Sequence, residues 1–174
     1  MSEENSKTCS FNVCSQCKLM CCIDAKPPLT KKREKILTDY LRRQGVSTEG
    51  VFVHEAYTHP DVDAEGYCVL FNRETGKCRV HPVKPETCVA GPVTFDVNLK
   101  TRKLELYLKK DEVCLLAKCL REDPARFQEH LEAAKTELVR LVSELDPAEL
   151  KAILAIDEPY TYKICEVDFS NEIF

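Results

Sequence analysis

Residues 14–22 read CSQCKLMCC, four thiols within nine residues and two of them adjacent. A chain can put so much sulfur in so short a stretch for disulfides, for thiol catalysis or for metal. Its eleven cysteines are an odd number, so at least one stays outside any set of pairs. At 174 residues the chain can bury a core without disulfides to hold it folded. The opening MSEENSKTCS is polar and acidic and lacks the apolar run of a leader. No stretch approaches the roughly 18 apolar residues that a bilayer span needs. The expectation is a cytoplasmic protein without membrane association, in a compartment that keeps thiols reduced.

Charge narrows the function classes. A net charge of −4 and a pI near 5.7 argue against a generally basic nucleic-acid binder. KKREKILTDYLRR, residues 31–43, holds six basic residues in thirteen. Its helical pattern marks a solvated face in preference to a contact for RNA or an acidic partner. No G-x-G-x-x-G loop is present, so a nucleotide or Rossmann-type methyl-donor site has no support from motifs.

The pattern along the chain predicts an α+β fold. It is expected to be a single domain over 1–174, with a loop-rich cysteine part (9–110) of short antiparallel strands and a helical C-terminal part (111–174) covering it. Thr30 offers an N-cap to a helix from Lys31 to Gln44, and Gly45 a stop. VFVHEAY, GYCVLFN, KCRVH and PVTFDVN are short β-prone runs between turn formers. RKLELYLK alternates Leu104, Leu106 and Leu108 with charged neighbours, a strand with one wet face that can pair with PVTFDVN through NLKT. DEVCLLAKCLRE predicts a short helix. Asp123-Pro124 then starts a long one, whose Phe127, Leu131, Ala134, Leu138, Leu141 and Leu145 share one side. Asp146-Pro147 repeats the start signal for a helix ending near Ile156, and PYTYKICEVDF returns as a strand or extended segment.

Metal is the reading that the thiols favour. C-x-x-C turns two sulfurs toward one ion, and a bond between adjacent cysteines would strain the peptide joining them. Cys21 and Cys22 are therefore expected to point to different places. Cys14, Cys17, Cys21 and Cys22 form the first block. Cys68, Cys78 and Cys88 form the second, each next to a turn former: Gly66, Gly76 and Pro85. Tight turns bring amides near sulfur and stabilise thiolate charge. Seven thiols exceed what one tetrahedral zinc takes, which leans the expectation toward an iron–sulfur cluster. Cys9, Cys119 and Cys165 read as small apolar side chains. His81 is a lesser ligand candidate, and His54 and His59 read as surface or supporting groups. Asp61, Asp63 and Glu65 lack the further spaced ligands of a calcium loop.

These residues resemble the YkgJ-type cysteine-cluster family, the zinc- or iron-chelating domains with the signature CxxCxxCC. The family's G-x-C reads here Gly66-Tyr67-Cys68. Its G-x-C-x-[IV]-[YH] reads Gly76-Lys77-Cys78-Arg79-Val80-His81, and its R-P-x-x-C reads Lys84-Pro85-Glu86-Thr87-Cys88. The resemblance covers about residues 14–92 and extends toward 119 if a later family cysteine corresponds to Cys114. The first motif is one residue longer than the signature, and Lys84 stands where the family has Arg. The Lys keeps the positive charge but loses the bidentate fork.

The resemblance implies a metal centre held by Cys14, Cys17, Cys21, Cys22, Cys68, Cys78 and Cys88, with Cys114 as an eighth ligand. Its cofactor is expected to be an iron–sulfur cluster of the 4Fe–4S type, or zinc in its place. The family includes a flagellin lysine N-methylase associated with such a cluster. A metal-dependent protein-modifying enzyme is therefore one alternative. A structural zinc module serving a protein partner is the other.

Overall fold

The order of the chain follows from where it can and cannot continue a helix. A computed structural model describes residues 13–14 and 21–169. Thr30 caps α1 (Lys31–Arg43), its Oγ1 accepting the Arg33 N–H at 3.0 Å. The helix closes at Gly45, whose φ of +71° lets its N–H reach Arg42 O at 3.0 Å. Two small hairpins follow, β1 (Phe52–His54) with β2 (Thr58–Pro60), and β3 (Phe71–Asn72) with β4 (Lys77–Cys78). A 3-10 turn at His81–Val83 leads into α2 (Glu86–Ala90).

The remaining elements are β5 (Val93–Asn98), β6 (Lys103–Lys109), α3 (Leu115–Arg121), α4 (Pro124–Glu144), α5 (Pro147–Leu154) and β7 (Thr161–Asp168). β5, β6 and β7 form an antiparallel sheet in that order. Asn98 fixes the β5–β6 turn by accepting the N–H groups of Lys100 and Thr101, both at 3.1 Å. The period of two along β6 puts Leu104, Leu106 and Leu108 on one face, all fully buried. Leu131, Ala134, Leu138, Leu141 and Val142 of α4 join them in one core. Each such buried leucine stabilises the fold by about 1.5–3 kcal/mol.

A second, smaller core lies in the cysteine-bearing half, built from Leu29, Leu37, Leu41, Cys68, Leu70 and Val80. The mixed α+β class, the short antiparallel strands and the C-terminal helices are as expected. α2 is an addition: residues 86–90 carry no apolar period long enough to announce a helix. α3 begins only at Leu115, because Asp111–Val113 form a turn ahead of it. Among the described residues no helix is long and apolar enough to cross a membrane.

Candidate metal centre

The two cysteine blocks are stitched together through their backbones. Cys68 N–H donates to Cys22 O at 2.8 Å, Ile23 bridges Tyr67, and Asp24 N–H donates to Gly66 O at 2.7 Å. Gly66 sits at φ +84°, a backbone that strains any side chain, and a Cβ there would come within 2.6 Å of Asp24 Oδ1, so the crossing of the two segments favours glycine.

Beyond this crossing stand two related turns. Phe71 N–H donates to Cys68 O at 2.8 Å, and the N–H groups of Leu70 and Phe71 also reach the Cys68 sulfur. Cys78, opposite Phe71 in the β3–β4 ladder, receives the Val80 N–H on its sulfur. Arg79 N–H to Leu70 O at 2.8 Å holds the turns together. Amide groups aimed at sulfur favour thiolate, the form that binds metal. Cys88 enters from α2, which packs against α4.

Electrostatics show which thiols share a neighbourhood. Cys22 donates its S–H to Cys21, which holds the Cys21 thiol well below its ordinary range; Lys109, the Cys21 amide and Lys84 add to this against the effect of burial. The same bond, followed by burial and by the charges of Cys21, Cys68 and Cys88, pushes Cys22 up. Burial raises Cys68 to about 11, with Cys78 and Cys21 adding to it against the two amides. Burial also raises Cys78, opposed by the Val80 amide and Lys84. Cys88 keeps a solvent-exposed surface, yet the protein around its sulfur pushes it up, helped by Cys21, Cys78 and Cys68. Cys21, Cys22, Cys68, Cys78 and Cys88 thus lie close enough to feel one another's charge.

That neighbourhood is not a finished coordination shell. Among the described residues no group of three or more Cys, His, Asp or Glu side chains is gathered closely enough to hold an ion. Cys14 is exposed, and Cys17 lies outside the described residues. Cys114 stands at the start of α3, half-buried against the sheet–helix core. His81 is exposed at the head of the 3-10 turn, near Lys84, and burial and that charge lower its pKa.

Other groups resolve simply. His54 contacts Glu34 at 3.0 Å on the surface, and buried His59 places Nδ1 2.8 Å from Pro60 O. Asp63 accepts the N–H groups of Glu65 and Tyr67 and pairs with Arg73 at 3.3 Å, so the acidic loop is an internally bonded turn. Cys165 packs half-buried in the main core. Cys119, expected to pack as an apolar side chain, is disulfide-bonded, and Cys9 lies outside the described residues. Lys109 has no sequence signal linking it to the cysteines: the strand pairing of β6 alone sets its position.

The family model that matches covers residues 13–115, more than half of the chain, and is described as "CxxCxxCC: Putative zinc- or iron-chelating domain". No curated protein and no solved structure matches.

Proposed function

The chain belongs to the CxxCxxCC family of zinc- or iron-chelating domains, and from that premise we propose that it binds an iron–sulfur cluster, with zinc as the alternative occupant, through the thiolates of its two cysteine blocks. The observation that carries this reading is that the backbone joins the two cysteine blocks, Cys68 N–H donating to Cys22 O at 2.8 Å. Beside that crossing, Arg79 N–H to Leu70 O at 2.8 Å holds together the turns at Cys68 and Cys78, whose amides favour thiolate. The donor set fits the group: soft sulfur, amides to spread thiolate charge, and Lys84 and Lys109 to offset the charge that several thiolates bring.

Cys21, Cys22, Cys68, Cys78 and Cys88 would hold the centre, with Cys14 and Cys17 of the same motif and Cys114 as further donors. Since no three donors are gathered beforehand among the described residues, binding draws those thiols together, and each thiol that joins gives up its proton. Bound there, a cluster supplies one-electron chemistry, whereas zinc supplies structure or Lewis acidity. A reducing cytoplasm suits such a centre. The nucleic-acid reading gains nothing from the acidic composition.

One observation favours an enzymatic role for the same centre. A surface cavity of about 380 Å³ opens beside Cys68, walled by Asp63, Asn72, Arg73, Glu74 and Arg79. A substrate seated there would lie next to one of the ligands, as in a metal-dependent protein-modifying enzyme such as a lysine N-methylase. A structural zinc module for a protein partner would leave the cavity without a role. Binding of S-adenosylmethionine to the loaded protein separates the two.

The deciding experiment is anaerobic purification followed by iron, zinc and acid-labile sulfide analysis, with a visible spectrum of the same sample. Matched iron and sulfide establish the cluster, and zinc alone transfers the assignment to zinc. Cys68→Ser or Cys17→Ser should strip most of the metal, whereas Cys165→Ser should retain it. Equal metal content in all three would refute the ligand assignment.

A further inference from the structure

Of the six basic residues of α1, one is not on the surface. Arg33 is only 8% exposed, while Lys31, Lys32, Lys35, Arg42 and Arg43 around it are all solvated. Its Nη1 donates to Lys84 O at 2.8 Å and to Val83 O at 3.4 Å, and its Nη2 donates to Glu137 of α4. Its Nε stands 3.6 Å from Glu86 Oε1. That oxygen also accepts the Thr30 hydroxyl at 2.7 Å, and Thr30 Oγ1 in turn accepts the Arg33 N–H. Glu86 is fully buried, and its Oε2 has no hydrogen-bond partner among the described residues.

The chain maintains this arrangement at a cost. A buried carboxylate with one oxygen unsatisfied loses hydration that a single ion pair does not fully restore. An apolar pair at the same places would fill the space without that loss. What the charged group does, and an apolar pair cannot, is fix direction: one planar guanidinium reads two carbonyls and two carboxylates at once. The elements it joins belong to different cores, since Leu37 and Leu41 of α1 lie in the small cysteine-side core and Leu138 and Leu141 of α4 in the large one. Between them runs Lys84-Pro85-Glu86-Thr87-Cys88, with Cys88 two residues beyond Glu86 on the same short helix.

We propose that Arg33, with Thr30, Glu86 and Glu137, is the positioning residue that sets α2 and thereby presents Cys88 to Cys21, Cys68 and Cys78. The role rests on the thiolate metal-binding reading for its purpose, although not for its geometry. α2 has only five residues and no side-chain cap of its own, so it cannot hold its orientation by helix formation alone. Packing on α4 seats the helix body, and Arg33 fixes its start by clamping the carbonyls just ahead of it.

Two readouts test this on the full chain. The first is titration with cobalt(II) alone under reducing conditions, followed by sulfur-to-cobalt absorption. The second is the rate at which Cys88 reacts with a maleimide in metal-free protein, read by mass spectrometry. Arg33→Met keeps the aliphatic stem but strands Glu86. The double variant Arg33→Met/Glu86→Gln removes both charges, and Glu137→Gln loosens the network at its partly exposed end, where folding is not threatened.

The double variant should melt close to the unmodified protein, bind cobalt roughly 10- to 100-fold more weakly, and react several-fold faster at Cys88. Glu137→Gln should show smaller changes of the same sign. Arg33→Lys should recover part of the affinity. If Glu137→Gln and every other folded variant keep the original cobalt affinity and Cys88 rate, the network only stabilises the fold and the proposal falls. If the unmodified protein binds no cobalt, the zinc alternative fails, the cluster reading is decided by its own iron and sulfide analysis, and the Cys88 rates still decide the positioning role.

Discussion

At the scale of single residues, the glycine at 66 has two reasons to be there. Its φ of +84° disfavours any side chain, and its carbonyl receives the Asp24 N–H where the two cysteine blocks cross. A Cβ would also press on Asp24 Oδ1, but that oxygen can swing away, so the backbone strain decides the outcome. Gly66→Ala should cost about 1–2 kcal/mol and lower the melting temperature by roughly 2–8 °C, with Gly66→Asn milder because Asn tolerates this region better. An unchanged melting curve for the Ala variant would show that the crossing does not depend on this conformation. The sequence pointed to Gly66 as a turn former beside Cys68. It carried no sign of Asp24, more than forty residues away, as the group that crowds it. The burial of Arg33 was equally hidden, since within KKREKILTDYLRR it differs from its neighbours only in what the fold brings beside it.

At the scale of elements, short-range signals gave the most reliable reading. Thr30, Asp123 and Asp146 each cap a helix with the expected hydrogen bond, and Asp146 forms a full capping box with Glu149. The alternation of β6 told both faces correctly. α2 could not be anticipated, because five residues cannot establish a period and tertiary packing on α4 makes the helix. The wet face of the sheet offers a pH test. Glu105 accepts hydrogen bonds from Lys163 at 2.8 Å, Tyr107 at 2.8 Å and Asn98 at 3.1 Å, which together lower its pKa from 4.5 to about 2. A carboxyl with a depressed folded-state pKa contributes stability that is complete above the unfolded value, near 4.5, and disappears as pH falls through about 2. Glu105 is largely covered but its partner Lys163 is exposed, so the contribution is discounted to about 0.5–1 kcal/mol. Glu105→Gln should therefore melt slightly lower than the unmodified protein at pH 7, and the gap should shrink steadily below pH 4.5. A gap of constant size across that range would mean that the charge is not what stabilises the sheet.

At the scale of the whole molecule, the smaller of two cores takes in Cys68, with Cys22 and Cys78 packed against it, and the larger takes in none of them, and this predicts how metal and stability are linked. The large core holds the sheet and α4, and of the described cysteines it takes in Cys114 and Cys165 but none of the two cysteine blocks. The small one includes Cys68 as a wall residue, so drawing Cys68 into a metal centre acts on that core directly. Without metal, burial keeps Cys68, Cys78 and Cys88 protonated at neutral pH, with Cys68 at about 11. Metal must displace those protons, so binding strengthens as pH rises, and the slope of log affinity against pH counts the protons released. Cobalt or zinc titrations at several pH values between 6 and 8 should give an affinity that climbs more than about tenfold per pH unit, a release of more than one proton. Metal at about 100 times its dissociation constant should also stabilise the fold by roughly 2.7 kcal/mol. Hydrogen exchange should show that protection concentrated around α1 and the two hairpins, with α4 and β6 little changed. A flat pH dependence would exclude the buried thiols as ligands. Protection spread evenly over both cores would instead mean that the centre is welded into the whole fold, and that the cysteine-bearing half does not respond to metal as a unit of its own.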